Sequence, residues 1–415
     1  MASTLTNIGE RRALWNLLKS VSEYGVHIPQ TLRAPVSVVW SLSYGCNLRC
    51  IHCYQKASRP SSDELTLDQQ LSIVDQLARA GVSTIVLSGG EPLTNPNLGR
   101  LIDRIRRYEI AISIDTNGVL MDRDVVETLK RAGVSSVELS LDSVNPESHD
   151  RFRGLNGAFD KTLKAVEICS EAGIFTSVAT TVTALNFEDS SELIALAMNH
   201  GADRVVFFDL IPAGRGRDIE GLRLTPDQLL DLMAVVKKSP RRVGSRYSWN
   251  CHNSSSILYS ATATYLRIFL RALCVERFTV STFFDCAGRG NVYRKFAPYL
   301  GGCPAGRIYC NIQPNGDVTP CMFMPEYPVA GNLKTESFGE IWNSTTLQAL
   351  RDRTRLKGEC GECRFRTVCG GCRAKAAAYK GDYLDSDPTC PIRDESQDVV
   401  LLSSGGRGVA TGNRG

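Results

Sequence analysis

Short β-rich runs alternate with amphipathic helical segments six times between residues 36 and 211, and this alternation constrains the fold more than any other feature. The runs cover residues 36–42, 84–88, 110–114, 136–141, 176–182 and 204–211. The segments between them carry apolar residues at i, i+3, i+4 and i+7, and several end at a glycine that can close a helix in the left-handed conformation. Such alternation predicts βαβ units, a parallel sheet and right-handed crossovers.

The number of units leaves the closure of the sheet open. Six units fall short of the eight of a full barrel, so the pattern is compatible with a partial (β/α)6 TIM-like barrel and with a doubly wound sheet. In either α/β architecture the functional side chains lie beyond the carboxyl ends of the strands. Candidate site residues are therefore those that follow each predicted strand.

The chain has 15 cysteines and only five histidines among 415 residues. Its start lacks the apolar segment of a signal peptide, which predicts a cytoplasmic protein, and grouped cysteines in that reducing compartment predict metal binding or catalysis. A net charge of +4, from 48 basic and 44 acidic residues, predicts no nucleic-acid partner. The nearest candidate for a membrane span, residues 257–278, is interrupted by charged residues, so we expect none.

Three cysteines directly follow the first predicted strand. Cys46, Cys50 and Cys53 form a Cys-x3-Cys-x2-Cys motif. Three thiolates on one loop can hold three irons of a cubane cluster and leave the fourth iron open to an external ligand. A zinc site completed by His52 is the alternative, although structural zinc prefers two pairs of ligands.

This motif, with an aromatic residue before its last cysteine, resembles the radical S-adenosylmethionine (radical SAM) superfamily across about residues 36–215. The resemblance implies a partial barrel in which S-adenosylmethionine chelates the open iron of a [4Fe-4S] cluster. Cys46, Cys50 and Cys53 would be both iron ligands and catalytic residues. Reductive cleavage of the cosubstrate would supply a 5′-deoxyadenosyl radical that abstracts hydrogen from a substrate.

A second motif stands at the end of the second predicted strand and is similar to the family's Gly-Gly-Glu-Pro. It consists of Gly89, Gly90, Glu91 and Pro92. Glycines let backbone carbonyls approach a bound ammonium group, and a glutamate adds negative charge. The alternative is an ordinary glycine-rich turn.

Further cosubstrate contacts are implied where the next two strands end. The candidates are Asn117, in Thr-Asn-Gly, and Ser140 and Asp142, in Ser-Leu-Asp-Ser. Arg153 could pair with a carboxylate. The alternatives are turn and cap chemistry for the first three and a solvated surface charge for Arg153.

Eight further cysteines occur between residues 303 and 390, in a region with many Gly, Pro and Arg residues and little periodicity. Two cubanes bound by cysteine alone need eight thiolates, and a metal-held domain needs little apolar core. The alternative is a zinc ribbon made by Cys360, Cys363, Cys369 and Cys372, for which the central gap is short.

The spacing of these eight cysteines resembles the SPASM extension of the same superfamily, which carries two auxiliary [4Fe-4S] clusters. The resemblance implies Cys303, Cys310, Cys321 and Cys372 as ligands of the first auxiliary cluster, and Cys360, Cys363, Cys369 and Cys390 as ligands of the second. One departure is that two residues separate Cys369 from Cys372, where the family often has three. Electron acceptance is the implied role of both clusters.

The chain therefore divides into five predicted segments. They are an N-terminal extension (1–35), a radical SAM partial barrel (36–215), a helical bridge (216–302), a SPASM domain (303–395) and a disordered tail (396–415). The remaining cysteines, Cys169, Cys251, Cys274 and Cys286, are expected to be buried thiols. Cys251 and His252 could instead face the substrate.

Segments around Cys303, Cys369 and Gly381 are similar to proteins that form heme d1 or heme by the siroheme-dependent route. That resemblance implies decarboxylation or removal of side chains of an iron tetrapyrrole, with Arg215, Arg217 and Arg373 as partners for its carboxylates. The competing interpretations are maturation of a ribosomal peptide or a sulfatase, and a non-catalytic iron–sulfur redox protein. A radical SAM enzyme also needs an electron donor such as ferredoxin or flavodoxin.

Overall fold

The computed structural model describes residues 32–238, 247–249, 302–367 and 369–390. The predicted tail, nearly all of the N-terminal extension and most of the bridge lie outside these residues. Cys251, His252, Cys274 and Cys286 lie outside them as well.

Six parallel strands follow one another in chain order, as the sequence pattern predicts. The strands are β1 (Ser37–Ser41), β2 (Thr84–Ser88), β3 (Ala111–Thr116), β4 (Ser136–Ser140), β5 (Phe175–Val182) and β6 (Arg204–Asp209). The connecting helices are α1 (Leu67–Ala80), α2 (Leu98–Arg106), α3 (Arg123–Arg131), α4 (Pro146–Arg153), α5 (Ala158–Glu171) and α6 (Ser190–Asn199). Each strand pairs in parallel with the next. The α/β partial barrel is confirmed.

Alternation along each strand separates an outer from an inner face of the barrel. On β1, Val38 and Trp40 are fully buried against the helices, whereas Val39 belongs to a second buried cluster on the inner face. The helices end where local chemistry allows it. Thr66 and Gln69 form a capping box before α1, and Gly81 ends α1 at φ +96°, which only glycine adopts without strain.

Further strands extend the barrel sheet at both edges, and those beyond β1 come from the cysteine-rich region. Strand β7 (Tyr247–Trp249) pairs in parallel with β6, and β8 (Tyr309–Ile312) pairs in parallel with β1. Strands β9 (Asp317–Thr319) and β10 (Gly331–Asn332) then continue antiparallel beyond β8. The ten described strands form one sheet in the order β10-β9-β8-β1-β2-β3-β4-β5-β6-β7.

Five further helices follow β6 in the described residues, and the last four of them are eight residues long or shorter. They are α7 (Pro226–Lys238), α8 (Phe338–Trp342), α9 (Thr345–Arg351), α10 (Gly358–Glu362) and α11 (Arg373–Lys380). Short 3-10 segments cover Pro92–Thr94, Gly214–Leu222 and Arg353–Arg355. In the described part of the chain, none of the helices has both the length and the apolar character needed to cross a bilayer.

The cysteine-rich region has more apolar core than its composition suggests. Phe338, Ile341 and Trp342 of α8 are buried in the same cluster as Val38 and Trp40 of β1. Apolar packing therefore stabilises this region as well, in addition to the metal binding that the sequence leads us to expect. Its elements are two to eight residues long, too short for the periodicity by which an apolar face is recognised in a sequence.

A buried ion pair joins the two regions. Lys375 of α11 donates to the carboxylate of Asp209, at the end of β6, and to Thr389 Oγ1 at 2.6 Å. Both charged side chains are more than nine-tenths buried. Burial lowers the pKa of Lys375, but the surrounding negative groups, led by the Asp209 and Asp387 carboxylates, together outweigh burial, so the pKa is raised and the ammonium group stays charged.

Lys375→Met should destabilise the protein by about 3–5 kcal/mol, because it leaves the Asp209 carboxylate buried without its cation. Lys357→Met is the matched control, since Lys357 makes an exposed pair with Asp382 that solvent screens. The midpoint of urea unfolding, followed by tryptophan fluorescence of the anaerobic protein, should fall clearly for Lys375→Met and hardly for the control. Equal shifts would contradict the structural role of the buried pair.

Candidate active site

The three-cysteine loop leaves the carboxyl end of β1 and is held by backbone donors. The amide of Leu48 donates to Cys46 Sγ and the amide of Ala57 donates to Cys53 Sγ, both at 3.4 Å. Cys50 is buried, whereas Cys46 and Cys53 are half-buried. N–H groups aimed at sulfur are suited to thiolates that bind iron, so the loop fits the cluster that the sequence predicts.

The buried thiols of this loop need a metal ion or a nearby cation to lose their protons. Burial raises the pKa of Cys46 to about 11. Burial also raises the pKa of Cys50, and the nearby guanidinium of Arg153 opposes that rise. A bound metal deprotonates its thiol ligands, so occupancy of the site by iron would overcome this cost.

The glycine loop after β2 packs directly on the cysteine loop. The amides of Gly90 and Glu91 donate to the carbonyls of Ser43 at 2.8 Å and Gly45 at 2.9 Å. A Cβ atom on Gly90 would lie 2.0 Å from the Gly45 carbonyl oxygen, and Gly89 has φ +126°. The glycines therefore permit close approach of two backbones, a role that adds to the ammonium contact predicted from sequence.

Glu91 ties the ends of two strands together. Its Oε1 accepts from Thr116 Oγ1 at 2.7 Å and from Leu93 N at 3.1 Å, and its Oε2 accepts from Asn117 N at 2.9 Å. Burial raises the pKa of Glu91, and the bond from Asn117 works against that rise. Pro92 follows in a short 3-10 turn. The carboxylate thus positions Asn117, whose side-chain amide donates to Asn47 in the cysteine loop at 2.8 Å.

Arg153 and Asp142 form a buried ion pair beside Cys50. Arg153 Nε donates to Asp142 Oδ2 at 2.6 Å, and Arg153 Nη1 lies 3.8 Å from Cys50 Sγ. Burial raises the pKa of Asp142, but Arg153, together with smaller contributions that include a hydrogen bond from the Thr181 amide, outweighs burial, and the net pKa is lowered. Arg153 is therefore not the solvated charge of the alternative interpretation.

Ser140, the last residue of β4, lies beside Ala179 of β5.

His52 does not act as a cation or as a fourth ligand in this arrangement. Its ring stacks on Phe152, with centroids 4.2 Å apart. Burial, with the nearby charge of Arg153, lowers the pKa of His52 to about 3, so the ring is neutral. Among the described residues, no three His, Cys, Asp or Glu side chains converge on the position of a single metal ion.

A segment that follows β6 clamps the cysteine loop from the other side. Arg215 Nε donates to the Cys50 carbonyl at 2.8 Å, and its Nη1 donates to the Ala57 carbonyl at 3.0 Å. Arg217 pairs with Glu326 at 2.9 Å. Because these donors already have protein partners, we assign Arg215 to holding the cysteine loop and Arg217 to an ion pair at the surface. This differs from the expectation that both bind substrate carboxylates.

Three of the four cysteines predicted for the first auxiliary set share one buried cluster. Cys303, Cys321 and Cys372 lie in that cluster with Tyr309, whose hydroxyl is 2.6 Å from Cys321 Sγ. Burial raises the pKa of the Cys372 thiol, and Cys303 is among the charges that act on it.

Cys310 lies on the other face of the sheet. It pairs in register with Val38 of β1 and is fully buried in the core between sheet and helices. Successive side chains of a strand point to opposite faces, so Tyr309 faces Cys321 and Cys310 faces away. The structure does not bring Cys310 to the other three cysteines. Cys169 is also buried in the helical core.

The cysteines of the second auxiliary set lie on α10, in the loop between α10 and α11, and after α11. Gly371 N donates to Cys369 Sγ, Phe365 N donates to Cys363 Sγ, and Asp387 N donates to Cys360 Sγ, each at 3.4 Å. Cys390 N donates to the Asp387 carbonyl at 3.4 Å. Three of these thiols thus have amide donors of the kind found on the first loop.

Arg373 belongs to this second set rather than to a substrate site. It is 1% exposed, donates to the carbonyls of Tyr383 at 3.0 Å and Asp385 at 2.6 Å, and lies 3.5 Å from Cys360 Sγ. Its expected role as a carboxylate partner of the substrate is therefore replaced by one in the cysteine-rich region.

Two features of the barrel interior were not found from the sequence. Tyr54, Phe208 and Phe323 form an aromatic group, in which Phe323 lies 5.0 Å from Tyr54 and 6.1 Å from Phe208 by ring centroids. Asp115 of β3 lies beside Glu138 of β4. Burial, reinforced by Glu138, raises the pKa of Asp115 well above its usual range.

Family models and relatives agree with this geometry. Residues 40–199 match the radical SAM superfamily and residues 303–364 match the SPASM iron–sulfur cluster-binding domain. The AdoMet-dependent heme synthase of Methanosarcina barkeri is 34% identical over 87% of this chain and 97% of its own length. The pre-heme d1 synthase of Dinoroseobacter shibae is 30% identical, covering 85% of each chain.

A peptide maturase and a solved structure are also similar. The mycofactocin maturase MftC of Mycobacterium tuberculosis is 30% identical over 86% of this chain and 83% of its own length. The crystal structure of Streptococcus suis SuiB bound to S-adenosylmethionine has a TM-score of 0.65 at 20% identity, covering 91% of this chain and 81% of SuiB. The chain therefore belongs to the radical SAM superfamily and to those members that carry a SPASM iron–sulfur domain.

Proposed function

We propose that this radical SAM enzyme acts on an iron tetrapyrrole in heme or heme d1 biosynthesis, where it decarboxylates or removes side chains of the macrocycle. The observation that carries the proposal is the 34% identity to a heme synthase across 97% of that relative's length. The aromatic group of Tyr54, Phe208 and Phe323 supports it, because aromatic rings inside the barrel suit a flat macrocycle.

In this proposal the residues around β1 bind and orient the cosubstrate. Cys46, Cys50 and Cys53 hold the catalytic cluster, and Gly89, Gly90, Glu91 and Pro92 shape the loop against it. Asn117, Ser140, Asp142 and Arg153 complete the cosubstrate site. Bound S-adenosylmethionine supplies, on reduction, the radical that removes hydrogen from the substrate. The buried Arg153–Asp142 pair keeps the position of Cys50 fixed and excludes water beside it.

A side chain that loses a hydrogen atom and carbon dioxide must also lose one electron. We assign its acceptance to two auxiliary clusters. Cys303, Cys321 and Cys372 would bind the first, and Cys360, Cys363, Cys369 and Cys390 the second. A small electron carrier such as ferredoxin or flavodoxin would reduce the catalytic cluster, in the cytoplasm.

The carboxylate groups of a tetrapyrrole need a cation inside the barrel. Arg204 lies on the inner face of β6, where it donates to Ser177 Oγ at 3.1 Å and lies 3.8 Å from Glu138. Val205 and Phe207 of the same strand belong to the outer core. Because side chains alternate along a strand, Arg204 points to the opposite, inner face. Arg204 stands at the amino end of β6 and already has these protein partners, so, like Arg215, Arg217 and Arg373, it is not assigned to the substrate.

Maturation of a ribosomal peptide is the second candidate function. The 30% identity to MftC, nearly equal to that of the pre-heme d1 synthase, is the observation that favours it. The two candidates share the radical chemistry and differ only in substrate, so turnover experiments separate them.

Replacing Cys46, Cys50 and Cys53 together by Ala should abolish release of 5′-deoxyadenosine from S-adenosylmethionine under dithionite, because the open iron would be lost. Cys169→Ala is the matched control, since that thiol is buried in the helical core and should not affect release. The product is measured by liquid chromatography of anaerobic reactions. Release that survives the triple change would remove the catalytic role of the loop.

Anaerobically reconstituted protein should hold about twelve irons if all three clusters carry four. Cys310→Ala should keep that content, because Cys310 faces the helical core, whereas Cys303→Ala should lose up to about four. Iron and sulfide assays on the three proteins test this. Equal losses in both variants would show that Cys310 is a ligand after all, and about four irons in the unaltered protein would rule out auxiliary clusters.

Anaerobic turnover with iron-coproporphyrin, didecarboxysiroheme or precorrin-derived tetrapyrroles should change the mass of at least one of them. For a propionic acid side chain converted to a vinyl group, the expected change between the neutral molecules is loss of one carbon dioxide and two hydrogens, one abstracted as an atom and one lost as the carboxyl proton. Mass spectrometry of the porphyrin fraction detects it, with the triple cysteine variant as the control. Unchanged masses for every tetrapyrrole, while 5′-deoxyadenosine is still released, would favour the peptide candidate.

A further inference from the structure

Arg353 carries a buried guanidinium group with unused hydrogen-bond donors. It lies in the 3-10 segment Arg353–Arg355, between α9 and α10, and is 6% exposed. Its Nη2 donates to the Cys303 carbonyl at 2.9 Å. Its Nε and Nη1 atoms are buried and have no hydrogen-bond partner among the described residues. A buried cation with unpaired donors is costly, so these N–H groups require an acceptor.

Residues of both auxiliary sets adjoin this guanidinium. Its Nη2 contacts the Cys303 carbonyl, and its Nη1 lies against Gly370, the residue after Cys369. Cys303 belongs to the first proposed set, whereas Cys360 and Cys369 belong to the second. Arg353 therefore lies between the two sets.

The backbone makes room for this side chain at Gly370. That residue has φ +72°, and a Cβ atom on it would lie 2.1 Å from Arg353 Nη1. The next residue, Gly371, has φ +62°, and a Cβ there would lie 2.7 Å from Arg373 Nη2. The two glycines between Cys369 and Cys372 thus accommodate two buried guanidinium groups, one at each position.

We propose that Arg353 is a positioning residue shared by the two auxiliary clusters, donating its free N–H groups to their sulfur atoms and raising their reduction potentials. The inference rests on the proposed function, because that proposal assigns the clusters. Hydrogen bonds and positive charge near a cluster stabilise its reduced, more negative state. Placed between both sets, one cation would raise both potentials together, which favours acceptance of the substrate's electron.

Arg353→Met removes the charge and the donors while keeping an unbranched apolar side chain. Arg355→Met is the matched control, since Arg355 lies two residues along the same turn and is exposed. The reconstituted full-length proteins are compared by iron content and by redox titration followed by electron paramagnetic resonance. Arg353→Met should keep about twelve irons, and reduction of its auxiliary clusters should weaken tenfold or more, about 59 mV for one electron. The control should match the unaltered protein.

Arg353→Lys covers the case in which Arg353→Met fails to assemble. It keeps the charge but loses the planar fork of donors, so its auxiliary potentials should fall below those of the unaltered protein, by less than the tenfold weakening expected for loss of the charge as well. Unchanged potentials in a fully loaded Arg353→Met or Arg353→Lys protein would overturn the inference and leave the proposed function intact. Loss of auxiliary iron from both variants would give Arg353 a folding role and overturn it too. About four irons in the unaltered protein would overturn both proposals.

Discussion

The parallel pairing of β8 with β1 decides where the reactive groups of this protein lie. Strand β1 leads into the loop of Cys46, Cys50 and Cys53, and β8 carries the cysteine-rich region onto the same sheet. Register then assigns each side chain to a face. Tyr309 is placed with Cys303, Cys321 and Cys372, and Cys310 is placed under the helices. One pairing thus connects the radical site with the proposed electron acceptors.

Around that pairing, buried polar groups do most of the positioning. Glu91 joins the ends of β2 and β3, Arg153 and Asp142 brace Cys50, and Lys375 joins α11 to the end of β6. Each of these charges is buried with a partner, and removal of one member would leave the other unpaired. The consequence is a rigid surround for a reaction that has to exclude water and competing hydrogen donors.

The barrel was predictable because its period is regular. All six strands lie where the sequence pattern puts them, since alternating elements repeat their apolar positions often enough to be recognised. Helix α4 was not predicted, because it has no apolar stripe, although Asn145 as its cap and Pro146 in its first turn were available signals. Motif spacing likewise singled out the cysteines that are proposed as ligands.

The features that the sequence did not predict depend on long-range packing. The face of Cys310 follows only from the register of β8 on β1, and strands of two to four residues leave no pattern in the sequence. Arg353 looks like any surface arginine until Gly370, seventeen residues later, is seen to make room for it. Arg215, Arg217 and Arg373 were assigned to the substrate by charge alone, and the structure pairs each with protein acceptors instead.

A crystal structure of the reconstituted enzyme, with iron located by anomalous scattering, tests the arrangement most directly. The account predicts three iron clusters: one at the carboxyl end of β1, one bound by Cys303, Cys321 and Cys372, and one bound by Cys360, Cys363, Cys369 and Cys390. The Arg353 guanidinium should lie between the last two, and Cys310 should remain in the helical core. A single cluster at β1, or iron bound to Cys310, would contradict it.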